Sequence, residues 1–259
     1  MKKTYYSVVA CMLLCLPAMA QDIPQVIAHR GYWQARGSAE NSIAALERAD
    51  QIKVYGAEFD VHLTNDGVPV VHHDGDIQGV NIQQSPYAAI KDFALANGEK
   101  IPTLREYLEA ARHMAYARLI FELKPHATLE RNREAARVSV ELVREKKLQS
   151  RTDYITFSQE AGNELIRLAP EADVYYLSGN LSPKELKALG YAGLDYHYDV
   201  MRKNPQWFRE AKSLGLGVNV WGVNDTTLMR EMIDYGADFI TTDLPNDALK
   251  FISTTTSAR

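Results

Sequence analysis

The chain has 259 residues, 46% hydrophobic and 24% charged, with a formal net charge of −4 at pH 7. It carries no basic block and no acidic tail, so nothing favours nucleic acid or another polyanion as a partner. Both cysteines, Cys11 and Cys15, precede residue 20, so a chain processed there has no disulfide, thiolate metal site or cysteine nucleophile.

The N-terminus reads MKKTYYSVVACMLLCLPAMA. Lys2 and Lys3, the apolar run from Val8 to Ala20 and the small-residue pattern Ala18-Met19-Ala20 match a secretory signal, with cleavage expected after Ala20. The apolar run is too short to span a bilayer comfortably, and the stretch before Cys11 is too short for a convincing lipoprotein signal. Residues 1–20 are therefore expected to be a signal peptide. Residues 21–259 are expected to form one domain, exported across the inner membrane to a periplasm or the exterior without a stable membrane anchor. The sequence carries no signal for oligomeric state.

From there, β-type runs alternate with amphipathic helical runs. In chain order, strand 25–31 precedes helix 40–51, and strands 57–64 and 68–74 form one unit with an excursion before helix 101–114. Strand 118–124 leads to helix 129–147, strand 153–159 is followed by strand 173–179, and helix 183–190 comes next. Strand 192–199, helix 204–215, strand 217–224, helix 227–236 and strand 238–245 complete the pattern. Eight β/α units without a linker suit a single-domain α/β fold, a closed (β/α)8 TIM barrel, although an open doubly wound sheet would give the same alternation. The barrel is favoured because demanding residues cluster near the expected C-terminal strand ends: His29 and Arg30, Glu58 and Asp60, His73 and Asp74, Glu122 and Lys124, Trp221, Asp243. Barrel enzymes build their active sites on that rim.

Residues 54–74, VYGAEFDVHLTNDGVPVVHHD, are the richest stretch. Glu58, Asp60 and His62 fall at i, i+2 and i+4 and project from one face of a strand. Glu122 ends another strand, with Lys124 on the same face. Three convergent carboxylates make a hard-oxygen site for Ca²⁺ or Mg²⁺; the alternative is that these acids are salt-bridged to cations at the barrel mouth. His29 precedes Arg30, whose planar fork suits phosphate oxygens, and Lys124 offers a second positive charge. Asp74 stands beside His73 and would orient it or another ring. Two histidines facing one metal would divide general-base and general-acid work, although each alone also fits a structural role. His62 and His72 are expected to support structure, His62 lying beyond its strand end and His72 facing opposite to His73. Trp221 is either a core aromatic or a wall for a ligand. No GxSxG elbow, Walker-type loop or GxGxxG opening a helix competes with this set.

The ordered motifs HRG (29–31), AENS (39–42), EFDVHLTNDG (58–67), VVHHD (70–74), IPTLREYL (101–108), FELK (121–124), ITFS (155–158), VNVWGVN (218–224) and GADFITTDLP (236–245) span nearly the whole exported chain. Together they resemble the glycerophosphodiester phosphodiesterase family. The resemblance implies a (β/α)8 barrel that hydrolyses glycerophosphodiesters to glycerol 3-phosphate and an alcohol with one divalent cation, Ca²⁺ or Mg²⁺. It implies Glu58, Asp60 and Glu122 as metal ligands, His29 and His73 as the acid/base pair, Arg30 and Lys124 as phosphate ligands, and Trp221 on the glycerol side. Glu40, Asn41 and Asp74 would be supporting residues. Ala39 and Ser42 replace the usual Pro and Thr of PENT. The segment GDIQGVNIQ after Asp74 lacks a common RTT, and Gly222 stands where Thr often follows the tryptophan. These last two departures bear on pocket shape and leaving-group preference. The rival readings are a related phosphodiesterase acting on a lysophospholipid or phosphoinositide, and a non-catalytic barrel that binds a phosphorylated ligand.

Overall fold

The computed structural model describes residues 23–257; the expected signal segment, residues 1–20, lies outside them, as do Cys11 and Cys15. The strands are β1 Gln25–Ala28, β2 Gly56–Leu63, β3 Pro69–Val71, β4 Asp76–Ile77, β5 Val80–Asn81, β6 Arg118–Leu123, β7 Thr152–Thr156, β8 Val174–Tyr176, β9 Gly193–His197, β10 Gly217–Trp221 and β11 Phe239–Thr242. Strands β1, β2 and β6 to β11 pair in parallel, and β11 returns to β1 with Gln25 opposite Phe239 and Ala28 opposite Thr242. That return pairing closes the sheet and excludes the open doubly wound alternative.

Side-chain alternation along each strand sorts the two faces. On β2, Ala57, Phe59, Val61 and Leu63 point outward into the layer of helices. Phe59 lies 5.0 Å from the Phe121 ring and 4.6 Å from that of Tyr107. Burying aromatic surface of this kind stabilises by about 1.5–3 kcal/mol per side chain. The opposite face of β2 is left to Glu58, Asp60 and His62, so the outer packing secures the register that aims these polar groups into the barrel. Inside, Ile27, Ile120, Ile155 and Leu177 form a small apolar cluster.

The structure shortens several expected strands and adds elements between them. The 25–31 strand stops at Ala28, because His29, Arg30 and Gly31 turn away from the sheet. The helix expected from residue 40 starts at Ile43, since the Ser42 side chain accepts from Ala45 N and acts as its N-cap. Thr103 and Ser182 form capping boxes with Glu106 and Glu185. Helices Gln159–Leu168, Tyr198–Lys203 and Pro245–Ser257 were not anticipated. The first occupies the gap left between two expected strands, and the others overlap or follow strand-like runs. The 57–74 unit resolves into β2 and an antiparallel β3, after which the chain reaches His72 and His73 at the barrel mouth. Beyond them, Val70, Ile77, Ile82, Ile90 and Ile101 form a separate apolar cluster under the excursion.

Candidate active site

The turn after β1 begins the site. Arg30 and Gly31 have φ of 54° and 75°, which turns the Arg30 amide to donate to Glu58 Oε2 at 2.7 Å. A β-carbon on Gly31 would lie 2.8 Å from the Ala45 carbonyl carbon, so both the left-handed backbone and the tight helix contact require glycine. Asn41, fully buried at φ 61°, donates through N–H to the Arg30 carbonyl at 3.1 Å and through Nδ2 to Asp60 Oδ2 at 2.8 Å.

Glu58, Asp60 and Glu122 are 2%, 0% and 7% exposed, and each offers an oxygen within 4.8 Å of the others. β2 and β6 place Asp60 directly opposite Glu122. While one oxygen of Glu58 and one of Asp60 are held by Arg30 and Asn41, Glu58 Oε1, Asp60 Oδ1 and Glu122 Oε1 are buried without a hydrogen bond. Lys124 Nζ sits 2.6 Å from Asp60 Oδ1 and 2.7 Å from Glu122 Oε1, as ion pairs rather than aligned hydrogen bonds. The salt-bridge alternative is thus realised at two acids, but one ammonium cannot balance three buried carboxylates. Burial, followed by the charges of Asp60 and Glu122, pushes Glu58 well above the usual carboxylate range. Burial and then Asp60 push Glu122 up to about 8 despite Lys124. Burial works against Asp60 too, yet Lys124, His73 and Asn41 hold it below its ordinary value. Converging hard oxygens with excess negative charge fit a divalent cation.

His29 Nδ1 lies 2.8 Å from Asp243 Oδ1, which also accepts from Trp33 Nε1 at 3.3 Å. Asn224 Nδ2 donates to the other Asp243 oxygen at 2.6 Å, fixing the carboxylate that fixes the ring. His29 Nε2 is left facing Glu58 Oε2 at 4.0 Å. His73 Nδ1 is anchored at 2.8 Å by Asp74 Oδ1, and burial, with Lys124 and Arg30, lowers its pKa against the pull of Asp60. Both rings therefore present Nε2 to the centre from carboxylate-oriented positions.

One pocket of about 100 Å³ is lined by His29, Arg30, Glu58, His73, Glu122 and Lys124 on one side, with Phe157, Leu177 and Trp221 on the other. Trp221 meets the His197 ring edge-on at 4.5 Å and Phe157 at 6.3 Å, so it is a wall of the pocket. Arg30 is not free: its Nη1 donates to Glu40 at 2.6 Å and its Nε lies 3.9 Å from Asp60. Both expected phosphate-binding cations thus stand at the pocket already engaged by carboxylates.

His62 supports structure as expected, but from within its strand and not beyond its end: β2 continues to Leu63 and leaves it 4% exposed. Its Nε2 contacts the His73 carbonyl at 3.2 Å and its Nδ1 contacts Gln83 at 2.9 Å, so it braces the loop that carries His73. Burial lowers its pKa to about 4. His72 does face away from the pocket, in a groove with Trp33 and Ile77, and its amide donates to the Asp60 carbonyl at 3.0 Å. Sequence reading gave no role to His126, whose Nε2 accepts from Leu63 N at 3.1 Å, nor to the pocket residues Asp195 and Thr241. The alternation of LDYH in β9 carries a signal for Asp195, an acid two residues before His197 on the inward face of its strand.

Comparison with known proteins identifies the family. The model of the glycerophosphoryl diester phosphodiesterase family matches residues 29–247. A solved glycerophosphodiester phosphodiesterase from Parabacteroides distasonis is similar, with a TM-score of 0.90 and 56% identity over 91% of this chain and 99% of that one. A phosphodiesterase from Oleispira antarctica, solved in complex with the product sn-glycerol-3-phosphate, has a TM-score of 0.78 and 29% identity over 89% of this chain and 97% of its own. The glycerophosphodiester phosphodiesterase of Caldanaerobacter subterraneus is 27% identical over 246 residues, 88% of this chain and 97% of the relative. The chain therefore belongs to the glycerophosphoryl diester phosphodiesterase family, a family of phosphoric diester hydrolases.

Proposed function

We propose that this chain hydrolyses glycerophosphodiesters to glycerol 3-phosphate and an alcohol. The observation that carries the reading is the meeting, at one pocket, of three buried carboxylates that share a single ammonium and two histidines each oriented by an aspartate. The product complex of the Oleispira antarctica relative supports the substrate class.

Glu58, Asp60 and Glu122 would hold one divalent cation, Ca²⁺ or Mg²⁺, which when bound supplies Lewis-acid charge for the non-bridging phosphate oxygens. Arg30 and Lys124 add to that field from the same wall, exchanging part of their carboxylate contact for phosphate. His29 and His73 divide the proton transfers: one Nε2 takes a proton from the attacking hydroxyl, and the other returns one to the leaving alkoxide. The hydroxyl belongs either to the substrate's own glycerol, giving a cyclic phosphate that water opens, or to water directly. Asp243 and Asp74 hold the two rings in the tautomer with Nε2 free. Residues 1–20 would serve as a cleaved export signal, placing the enzyme where head-group diesters are scavenged for glycerol and phosphate. N-terminal sequencing of the exported protein tests that placement, and a mature chain beginning before residue 21 would overturn it.

The decisive assay is release of glycerol 3-phosphate from glycerophosphocholine and glycerophosphoethanolamine, with EDTA and with Ca²⁺ or Mg²⁺ restored. Release that EDTA abolishes and metal restores is expected. A folded protein that releases none under either metal would overturn the reading.

A further inference from the structure

Below Trp221, the interior of the barrel changes character. Asn219 lies one inward-facing position deeper on β10, and Asp195 on β9 is its direct partner in the parallel register. Thr241, opposite Trp221 on β11, shares a hydrogen bond with Asn219 at 2.8 Å. A polar strip thus crosses a region otherwise built from Ile27, Ile120, Ile155 and Leu177.

Asp195 is 1% exposed and lies across the strand register from Asn219, and its Oδ1 has no hydrogen-bond partner. It lines the same pocket as His29, Glu58 and Trp221. An unpartnered buried carboxyl oxygen is costly to keep unless something else satisfies it. With Asn219 and Thr241 beside it, this oxygen sits in a hydrogen-bonding layer below Trp221, where it can accept from a hydroxyl. The moiety that reaches this layer must be attached to the phosphate and small enough to pass Trp221, Phe157 and Leu177. In a glycerophosphodiester, the three-carbon glycerol meets both conditions, whereas the head group varies in bulk.

We propose that Asp195, beside Asn219 in the strand register, is a specificity-determining residue whose free carboxyl oxygen hydrogen-bonds a hydroxyl of the substrate's glycerol moiety. This rests on the glycerophosphodiesterase reading and assigns the orientation of the diester in the pocket, glycerol inward and head group toward the mouth. A water would satisfy the same oxygen from the inner void that Asp195 shares with Asp153 and Tyr175, so the test must separate substrate from water.

The experiment is calorimetric titration of the protein, in buffer containing Mg²⁺, with sn-glycerol 3-phosphate and with n-propyl phosphate, which has the same skeleton without hydroxyls. Wild type is expected to prefer the glycerol compound by roughly tenfold, the scale of one well-made hydrogen bond. Asp195→Leu is expected to bring that ratio toward one with propyl phosphate affinity preserved, and Asp195→Asn to retain part of it. A wild-type ratio of one, or an undiminished ratio in Asp195→Leu, overturns the assignment. Should Asp195→Leu fail to fold, a crystal structure of wild type with sn-glycerol 3-phosphate decides. A glycerol hydroxyl on the Asp195 carboxyl supports the proposal, and a water in its place overturns it. Binding decides Asp195 while product release decides hydrolysis, so failure of one is distinguishable from failure of the other.

Discussion

Asn41 grips Asp60 from two sides: its Nδ2 donates to Asp60 Oδ2 at 2.8 Å, and its Oδ1 accepts from Asp60 N at 3.0 Å. The pair leaves Asp60 Oδ1 turned toward Glu122 and Lys124, so the amide decides which oxygen is available to a cation. Loss of a partner that orients a metal ligand typically costs 10–100-fold in affinity. Asn41→Ala should therefore weaken divalent-cation binding by about that factor, measured by calorimetry, with the fold retained by circular dichroism. Unchanged affinity would show that β2 alone positions Asp60.

Asp243 plays the corresponding part for His29, with its two oxygens taken up by His29, Trp33 and Asn224. An amide at this position would keep the size of the group but offer His29 Nδ1 a donor in one orientation, disturbing the tautomer that leaves Nε2 basic. Asp243→Asn should lower kcat for diester hydrolysis by about 10²-fold or more, with little change in KM. A loss confined to KM would instead make Asp243 a substrate-binding group.

Much of this is legible in the amino-acid sequence, for physical reasons that differ by residue. Glu58, Asp60 and Glu122 were visible because a strand's two-residue period forces same-face placement, and the register of β2 on β6 then sets Asp60 against Glu122. Barrel closure was only favoured, because β/α alternation is shared with open sheets until β11 meets β1. His62 is legible as a supporting residue, but that it acts from inside the strand follows from the pairing of β2 with β3, which a single strand's residues do not report. The alternation of β9 marks Asp195 as an inward acid, but its free oxygen is not legible from the strand alone, since its neighbours come from β10 and β11, far away in sequence.

The raised carboxylates make the metal-free protein sensitive to alkali. Glu122 at about 8, Glu58 well above its ordinary range and Asp195 at about 7 each bind protons more tightly folded than unfolded. Their stabilising contribution is complete below about pH 4 and is lost as pH rises through the folded values. His62 and His126, lowered to about 4, act in the opposite sense, but only up to about pH 6.5, where the unfolded rings are also neutral. Between about pH 6.5 and 8.5 the acids dominate, so Tm in EDTA should fall across that range. Glu122→Gln should flatten the fall, and added Ca²⁺ or Mg²⁺ should raise Tm more at pH 8 than at pH 6.5, because binding must displace fewer protons there. A Tm in EDTA that rises over the same window would contradict the charge balance described for the three acids.

Gly31 offers a test of how the backbone turn serves the site. Its φ of 75° follows that of Arg30 at 54°, and the missing β-carbon leaves room for Ala45, whose carbonyl oxygen would otherwise be 2.9 Å away. Alanine would bring both a left-handed strain of about 1 kcal/mol and a backbone clash that only movement of helix Ile43–Gln51 can relieve. Gly31→Ala should thus destabilise by about 2–4 kcal/mol in urea titration, beyond the strain alone. Because the same turn aims the Arg30 amide at Glu58 Oε2, metal affinity should fall in the fraction that remains folded. Gly37, also at positive φ but with open space around its missing β-carbon, supplies the control: Gly37→Ala should cost only the strain, about 1 kcal/mol, and leave metal binding intact. Equal losses at the two positions would mean that contact with Ala45, and hence the packing of the first helix beneath the turn, has no part in holding Glu58.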